Sequence, residues 1–517
     1  MLDQFWSSLK SGTDIRGVAS EGGGYEINLT DDVVKRICKG FAIWLEQKFH
    51  MSSDCLVVAV GHDSRISAGR ISNAAMTALS ETGARVLDCG LASTPSMFFA
   101  IEEFGCQGAI EITASHHPFY RNGLKFFTKY GGLDSKDITE ILQYAQENKT
   151  PLKKEGIVEK SDSMDRYCHR LQRMILEGVG AKEGELPLTG FHIVVDAGNG
   201  AGGFYAHRVL KPLGADITGS QFLEPDGMFP NHIPNPEDKN AMESVCKATV
   251  KAKADLGVIF DTDVDRGGAV DSTGAEINRN RLVALASAIA LEQCPGGTVV
   301  TDSITSSGLK VFIEQHLGGK HHRFKRGYKN VINESIRLNE QGISSPLAIE
   351  TSGHAAFREN QFLDDGAYLV TKIVIQMVNL KKEGKQLQDL LQSLQEPIET
   401  VELRLPITET DFRSCGNRII QQLNTFAEKK AHWQIAPDNH EGIRCSFDKG
   451  NGDGWFLLRL SVHDPLMPLN IESNQTGGTK SVSYTHLDVY KRQVEHAPYC
   501  PKKGIFKLRK PNVEEIH

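Results

Sequence analysis

One local pattern occurs three times in this chain and limits the folds it can adopt. Each copy has an apolar strand-like run, a turn rich in glycine or serine, an amphipathic stretch of helical length, and a second short strand. The copies begin at Leu56 (LVVAVG), Phe191 (FHIVVD) and Thr298 (TVVTDS). Strands of β-branched residues that alternate with helix-length segments are typical of βαβ units. We therefore predict an α/β fold, with three similar α/β domains whose sheets are mixed and mostly parallel.

The last part of the chain departs from this pattern. The segment FDKGNGDGWFLLRLSV, which begins at Phe447, predicts a hairpin with a Gly/Asn/Asp turn. It indicates a smaller α+β C-terminal domain. Stretches rich in glycine, proline and charged residues mark the predicted domain boundaries. The predicted domains are domain I at 1–165, domain II at 166–279, domain III at 280–395 and domain IV at 396–480, followed by a tail at 481–517 that is not native to the fold.

Charge and hydropathy exclude several functional classes. The 517 residues include 58 Lys and Arg against 65 Asp and Glu, so the net charge is −7. Because the chain has no long run of Lys and Arg, it lacks the positive surface that binding to nucleic-acid phosphates requires. The apolar run LVALASAIAL, Leu282 to Leu291, is about half of the ~20 residues that a membrane-spanning helix needs. We expect neither a nucleic-acid nor a membrane partner.

The cysteines indicate the compartment. None of the ten occurs in a CxxC pair, which argues against a zinc site and a disulfide framework. We expect reduced thiols and a cytoplasmic protein. The alternative is the plastid stroma, if a transit peptide has been removed.

The first candidate loop is GAIEITASHHPFYRNGLKFF, from Gly108 to Phe127. An apolar strand leads into Ser115, and open α/β sheets bind ligands outside the carboxyl ends of their strands. Asn122 and Gly123 predict a tight turn that brings Lys125 back toward Ser115. Taken alone, such a serine is more often a structural cap and such a lysine is more often solvated. No GxSxG elbow indicates a hydrolase here.

The second candidate loop carries three carboxylates after the apolar strand LGVIF. Asp261, Asp263 and Asp265 stand at alternate positions, and each like-charge pair at ~4 Å would cost about 4 kcal/mol at an effective dielectric constant near 20. A cation relieves this repulsion, and an all-oxygen set suits Mg²⁺. Two alternatives remain. The loop could be a solvated acidic turn, or VIFDTDV could be the nucleophile motif of a haloacid-dehalogenase-like phosphatase, with Asp261 as nucleophile.

Two further segments are weaker signals. In SPLAIETSGHAAF a strand precedes Glu350, Ser352 and His354, which could bind sugar hydroxyls or be ordinary loop residues. The segment DAGNGAGG from Asp196 satisfies the GxGxxG pattern of dinucleotide sites. However, the acidic residue expected after a second strand would be Asp216, which comes too early. We interpret these glycines as a tight turn with close helix packing.

Together, and in this order, the loops resemble those of the α-D-phosphohexomutase superfamily, of the phosphomannomutase/phosphoglucomutase type. TASHHP resembles the phosphoserine loop TASHNP, DTDVDR the metal loop DGDADR or DGDGDR, and ETSGH the sugar loop GEMSGH. SGTDIRG and VGHDSRISAGR resemble first-domain signatures, and RLSVHDP aligns with the phosphate loop RPSGTEP. The likeness extends from about Gly12 to Ser473.

This resemblance implies four domains around a cleft and an intramolecular phosphotransferase. Such an enzyme would interconvert the 1- and 6-phosphates of glucose, mannose or both through a phosphoserine and a hexose 1,6-bisphosphate intermediate, which also serves as activator. Ser115 would carry the phosphoryl group and would bind Mg²⁺ with Asp261, Asp263 and Asp265. Proton transfer and charge neutralisation would come from Lys125, His116, Arg16 and Arg266.

The resemblance also implies the substrate contacts. They would come from Gly327, Tyr328, Lys329, Glu350, Ser352 and His354 for the sugar, and from Arg459, Ser461 and His463 for the phosphate that is not transferred. His463 and Val462 stand where the family has Thr and Gly, and Tyr328 stands where many relatives carry His. The expected partner is a small phosphosugar, and the expected assembly is a monomer, with a dimer as alternative. A haloacid-dehalogenase-like phosphatase and a catalytically silent phosphosugar-binding protein remain the alternative functions.

Overall fold

The computed structural model describes residues 2–149, 155–461 and 465–482. The chain forms two compact units. Within the described residues, the first consists of residues 2–396 except 150–154, together with Pro437–Glu441, Ser461 and Pro465, and the second comprises Pro397–Ala436, Gly442–Leu460 and residues 466–482. Three of the four sheets lie in the first unit and the fourth lies in the second.

The first sheet has eight strands. They are β1 (Lys10–Ser11), β2 (Asp14–Val18), β3 (Val57–His62), β4 (Arg85–Leu91), β5 (Gly108–Ile112), β6 (Arg121–Thr128), β7 (Gly131–Gly132) and β8 (Val158–Lys160). The helices of this region are α1 (Gln4–Leu9), α2 (Asp31–Phe49), α3 (Ala68–Ser80), α4 (Thr94–Phe104), α5 (Ser135–Gln146) and α6 (Ser163–Gly178). Strand β3 is parallel to β4 and β5, whereas β6 is antiparallel to β2 and β5.

The second sheet is smaller. Its elements are β9 (Ile193–Asp196), α7 (Lys239–Ala252), β10 (Leu256–Phe260), β11 (Gly267–Asp271) and β12 (Glu276–Ile277). Strand β10 is parallel to β9 and antiparallel to β11. All five residues of β10 are buried, which explains its continuous apolar sequence, because a strand covered on both faces does not alternate.

The third sheet repeats this plan. Its elements are α8 (Arg279–Gln293), β13 (Thr298–Thr301), α9 (Ser307–Val311), β14 (Lys320–Arg323), α10 (Tyr328–Glu340), β15 (Leu347–Ile349), β16 (Ala355–Phe357) and α11 (Gly366–Lys382). The apolar run from Leu282 to Leu291 forms most of α8 and is packed into the largest buried apolar cluster. In the described part of the chain, no helix is both long enough and apolar enough to cross a membrane.

The predicted α/β fold class is confirmed. The first three sheets also share one feature of their strand pairing. In each of the first three sheets, one strand pairs in parallel on one side and antiparallel with the following strand on the other: β5 with β6, β10 with β11, and β15 with β16. The sheets are therefore more evenly mixed than predicted. Each candidate loop is the connection within one of these antiparallel pairs.

The helical segments after β9 and β13 are less regular than predicted. Tyr205–Leu210 and Phe312–His316 are π-helical, and Lys211–Leu213 is a 3₁₀ turn. Pro212 lies in that 3₁₀ turn and has no amide hydrogen, so a regular helix cannot continue through it.

The second unit contains an antiparallel sheet of five strands. Its elements are β17 (Glu399–Pro406), α12 (Phe412–Ala427), β18 (Trp433–Ile435), β19 (Ile443–Phe447), β20 (Gly454–Leu458) and β21 (Leu466–Ser473). The predicted hairpin is confirmed as β19 and β20. From residue 483 on, the tail predicted to be non-native lies outside the described residues.

Candidate active site

The three hairpin loops of the first unit meet at one place. The hydroxyl of Ser115, after β5, donates to Asp261 Oδ2, after β10, across 3.2 Å. Arg266, from the same loop as Asp261, donates through Nε to His354 Nε2 at 2.9 Å. A phosphoryl-carrying serine, an acidic loop and a sugar loop were predicted separately, and the fold brings all three together.

Ser115 lies in a tightly held turn. It is only 2% exposed, and its φ of 51° is in the left-handed region that non-glycine residues seldom adopt. Its amide donates to Thr113 Oγ1 at 2.9 Å, and its Oγ lies 3.2 Å from His116 Nδ1. Burial and the nearby Arg266 lower the pKa of His116 to about 2, so this imidazole is neutral at physiological pH.

Arg65 secures that turn, and sequence reasoning assigned it no role. Its guanidinium is fully buried against Asp63, with Nε 3.2 Å from Oδ2. The same guanidinium donates to four main-chain carbonyls of the phosphoserine loop, those of Ser115, His117, Pro118 and Arg121. The first-domain signature VGHDSRISAGR contains this arginine, so the motif was visible although its partners were not.

Lys125 also lies at the meeting point. It is on β6, directly opposite Glu111 of β5. Its Nζ donates to Asp263 Oδ2 at 2.7 Å and to Asp265 Oδ2 at 2.5 Å. Burial acts to lower the pKa of Lys125, but these two carboxylates outweigh it and raise the pKa well above its usual value. The ammonium is therefore a permanent positive charge.

The three carboxylates of the acidic loop are fully buried and close together. Asp261 and Asp263 are 0% exposed and Asp265 is 2% exposed, and one oxygen from each lies within 4.8 Å of the others. Burial and repulsion by Asp265 and Asp263 raise the pKa of Asp261 well above its usual value. This environment is unlike that of a solvated acidic turn.

Two oxygens of this loop are free to bind a cation. Asp263 Oδ1 and Asp265 Oδ1 are buried, and neither has a hydrogen-bond partner among the described residues. Buried polar atoms are nearly always paired in native proteins, so these two oxygens are candidate cation ligands. Carboxylate oxygens are hard ligands suited to Mg²⁺. The residues present therefore fit a divalent cation.

The glycines after β9 pack against the main chain of the acidic loop. A side chain at Gly200 would place its Cβ 2.7 Å from the carbonyl oxygen of Thr262 and 2.8 Å from its Cα. The amide of Ala201 donates to that carbonyl at 2.8 Å. The interpretation of DAGNGAGG as close packing is confirmed, and what it packs against is the acidic loop.

His354 is held between an arginine and a carboxylate. Its Nε2 accepts from Arg266, so the neutral ring carries its proton on Nδ1, which lies 2.5 Å from Asp364 Oδ2. Despite burial, Asp364 and Asp265 raise the pKa of His354 above its usual value. The sequence reasoning placed His354 with the sugar ligands and missed Asp364, although FLDDG follows the same strand pair.

Glu350, Ser352 and Tyr328 are three further residues predicted to bind the sugar. Glu350 Oε1 accepts the amide of Gly327 at 2.6 Å, and burial together with Asp302 raises the pKa of Glu350 to about 7. The buried Ser352 Oγ has no hydrogen-bond partner in the described part of the chain. The Tyr328 ring stacks on His354 with a centroid distance of 5.1 Å.

Two predicted residues have protein partners instead of open surroundings. Lys329 Nζ donates to the carbonyl of Gly132 at 2.7 Å and also pairs with Asp134. Arg16 Nη2 donates to Asp14 Oδ2 at 2.8 Å, while its buried Nε is unpaired within the described ranges. Lys329 therefore joins the third sheet region to the first.

The predicted phosphate loop follows β20. Arg459 and Ser461 are described, and the amide of Arg459 donates to the Pro468 carbonyl at 3.1 Å. His463 lies outside the described residues. The roles of all three as phosphate ligands stay predictions.

Comparison with protein-family models shows to which family the chain belongs. The family models phosphoglucomutase/phosphomannomutase alpha/beta/alpha domain I, domain II and domain III match residues 8–151, 165–274 and 278–398. The chain belongs to the phosphoglucomutase/phosphomannomutase family. The predicted superfamily is thereby confirmed. The first three boundaries that we predicted remain predictions.

Individual relatives agree with the family models. The chain is 29% identical over 418 residues to a phosphomannomutase/phosphoglucomutase of Pseudomonas syringae pv. tomato, covering 80% of this chain and 83% of the relative. It is 28% identical over 489 residues to a phosphoglucomutase of Neisseria gonorrhoeae, covering 94% and 96%. A crystal structure of a phosphoglucomutase/phosphomannomutase family protein from Burkholderia thailandensis matches with a TM-score of 0.78 and 25% identity, covering 96% of this chain and 99% of that one.

These findings confirm the predicted class of activity. The chain is a hexose-phosphate mutase, an isomerase that acts on a small phosphosugar.

Proposed function

We propose that this mutase moves a phosphoryl group between the 1- and 6-oxygens of a hexose through a phosphoserine at Ser115. Hexose 1,6-bisphosphate would be the intermediate, and added bisphosphate would be the activator. The observation that carries the proposal is the hydrogen bond from Ser115 to Asp261, inside a buried carboxylate cluster with two free oxygens. It unites the predicted phosphoryl carrier with the predicted cation ligands.

The charges around Ser115 support phosphoryl transfer. Such a reaction depends mainly on positioning and on neutralising phosphate charge. Asp261, Asp263 and Asp265 would hold Mg²⁺, and the bound ion supplies neutralisation of the phosphoryl oxygens. Lys125 and Arg266 lie among the same carboxylates, and Arg16 adds a third positive charge with one free donor.

The transfer moves a proton as well as a phosphoryl group. A sugar hydroxyl oxygen bonds to phosphorus while the bond from phosphorus to Ser115 Oγ breaks, and the hydroxyl proton ends on Ser115 Oγ. His354 would act by positioning Arg266, because its Nε2 accepts from Arg266 and its Nδ1 faces Asp364. His116 is neutral because of its lowered pKa, so we assign it hydrogen bonding to Ser115.

The sugar would lie against the third loop. Ser352 offers an unpaired hydroxyl, and Glu350, Tyr328 and Gly327 flank it. We propose that these groups bind ring hydroxyls of glucose and mannose phosphates, with Lys329 orienting the segment through its contacts to the first sheet region. Arg459, Ser461 and His463 would bind the phosphate that is not being transferred.

Several properties of Asp261 argue against the phosphatase alternative. Asp261 accepts a hydrogen bond from Ser115 and is one of three clustered, buried carboxylates. A cation site uses such a cluster of carboxylates, whereas a single aspartate nucleophile does not need one.

A comparison of two variants tests the proposal. Ser115→Ala should abolish most conversion of glucose 1-phosphate to glucose 6-phosphate in a coupled assay, and it should remove a stoichiometric phosphate from the intact mass of the purified protein. If Asp261→Asn removed the phosphate while Ser115→Ala left turnover intact, the phosphatase would be correct. Binding of glucose 1-phosphate by the wild type without isomerisation or phosphate release would identify a silent relative.

For compartment and assembly we propose a cytoplasmic monomer. The proposed compartment rests on the cysteines, nine of which form no disulfide in the described part of the chain. Sedimentation of the purified full chain distinguishes a monomer from the dimer alternative.

A further inference from the structure

Thr94 belongs to the first sheet region and forms hydrogen bonds with the acidic loop. No motif in the sequence around it marks it as part of the site. It is the first residue of α4 and is 5% exposed. Ser93 caps the helix, since its hydroxyl accepts the amide of Ser96 at 3.3 Å and its carbonyl accepts the amide of Met97 at 3.1 Å. The Thr94 amide takes no part in this capping, so it is free to donate outside the helix.

Both polar groups of Thr94 reach the same residue. Its amide donates to the main-chain carbonyl of Asp263 at 2.9 Å, and its hydroxyl donates to Asp263 Oδ2 at 2.5 Å. The two residues are 169 positions apart. Main chain and side chain of Asp263 are thus fixed together, which restricts rotation of the carboxylate.

This double contact decides which oxygen of Asp263 remains available. Oδ2 accepts from Thr94 and from Lys125. Oδ1 is buried and has no hydrogen-bond partner among the described residues. Groups that hold a metal ligand in its orientation typically change metal affinity by about 10–100-fold when they are removed.

We propose that Thr94 is a positioning residue for the cation site: its hydroxyl holds Asp263 Oδ2 so that Oδ1 faces the bound cation. The inference rests on the proposed cation-binding role of Asp261, Asp263 and Asp265. It adds a residue from the first sheet region that does not itself touch the ion or the substrate.

Direct metal binding tests the proposal without relying on turnover. Mn²⁺ replaces Mg²⁺ as the probe, because it prefers the same oxygen ligands and its free concentration can be measured by electron paramagnetic resonance. The full chain, stripped of metal with EDTA, is compared as wild type, Thr94→Val and Thr94→Ser. Thr94→Val has nearly the same shape without the hydroxyl. We expect its Kd for Mn²⁺ to rise about 10–100-fold, and the Kd of Thr94→Ser to stay close to that of the wild type.

A second threonine provides the matched control. Thr371 is 0% exposed, and its hydroxyl lies 2.9 Å from the hydroxyl of Tyr205, in a hydrogen bond that involves no residue of the acidic loop. Thr371→Val also deletes a buried hydroxyl and should lower the unfolding temperature, yet it should leave the Kd for Mn²⁺ unchanged.

Each outcome decides the proposal. An unchanged Kd in Thr94→Val would overturn it while leaving the proposed cation site intact. Equal losses in Thr94→Val and Thr94→Ser, or in Thr371→Val, would also overturn it, because the hydroxyl would not be the cause. Failure of the wild type itself to bind Mn²⁺ would reject the cation site and this inference with it.

Discussion

The guanidinium of Arg65 donates to the main-chain carbonyl of Ser115, 50 residues away in the sequence. Through its other donors Arg65 also holds three neighbouring carbonyls of the phosphoserine loop. A serine in the left-handed region is strained, and this network offsets the strain. The geometry of the proposed phosphoryl carrier therefore depends on a side chain that is buried beneath its loop.

We predict that Arg65→Lys lowers both stability and phosphorylation of Ser115. Lysine cannot reproduce a planar set of five donors, and each buried carbonyl left without its hydrogen bond should cost about 1–3 kcal/mol. Denaturant unfolding and intact mass measure the two effects. Arg70→Lys is the control, because Arg70 also donates to carbonyls, those of Ala19 and Leu29, but none belongs to the phosphoserine loop. Equal phosphoserine content in the Arg65 variant and the wild type would contradict the prediction.

Glu111 predicts a distinct dependence of stability on pH. It is 0% exposed, neither carboxylate oxygen has a hydrogen-bond partner in the described ranges, and burial raises its pKa well above the usual value. Because the folded-state pKa exceeds the unfolded-state pKa, the folded state binds the proton more tightly. Its contribution to stability is present below the unfolded pKa and is lost as pH rises through the folded pKa. The loss is about 1.4 kcal/mol for each pH unit that separates the two pKa values.

Glu111→Gln should therefore gain stability relative to the wild type as pH increases. Unfolding free energies measured from about pH 5 upward test this. The same substitution at the exposed Glu102, Glu102→Gln, serves as the matched control. A constant difference for Glu111→Gln would show that this carboxyl is not protonated in the folded protein.

Val264 stores strain in the acidic loop. This β-branched residue has a φ of 66° and is 0% exposed, and such a backbone costs about 1–3 kcal/mol for a non-glycine residue. Val264→Gly removes the strain together with the buried side chain. We expect it to destabilise the protein by at least about 1 kcal/mol less than Val258→Gly, a substitution at an equally buried valine of β10. Equal losses in denaturant unfolding would mean that the loop is unstrained.

Sugar choice is a further prediction. Discrimination between glucose and mannose depends on the 2-hydroxyl, and we assign Glu350 and Ser352 to other ring hydroxyls. A site without a bond to the differing hydroxyl typically separates substrates by only ~10–200-fold. We therefore expect both 1-phosphates to be used, with Tyr328 and Lys329 as the source of any bias. A ratio of kcat/KM above about 10⁴ would instead require a dedicated 2-hydroxyl contact.

Local patterns in the amino-acid sequence were enough to predict the fold class and to mark the loops that we propose carry the chemistry. Strand periodicity and turn residues are local properties, so the runs before Ser115, Asp261 and Glu350 were recognisable without tertiary information. The tight turn predicted at Asn122-Gly123 is wrong, because both residues lie in β6 and the chain turns earlier, where the amide of Arg121 donates to the carbonyl of Pro118. Lys125 nevertheless returns toward the serine loop on that strand. Local pattern was less informative where regular helices were expected after β9 and β13, because Pro212 and π-helical turns interrupt them.

The side chains that complete the site became visible only in three dimensions. Thr94 reaches Asp263 across 169 residues, Arg65 reaches the phosphoserine loop, and Asp364 orients His354. Periodicity shows which face of an element is buried, but not which distant side chain it meets there. The paired and free oxygens of the acidic loop, and the protonation of His116 and Glu111, depend on burial and on charges brought close by folding. These properties arise from distances in space, and the order of residues along the chain does not contain them.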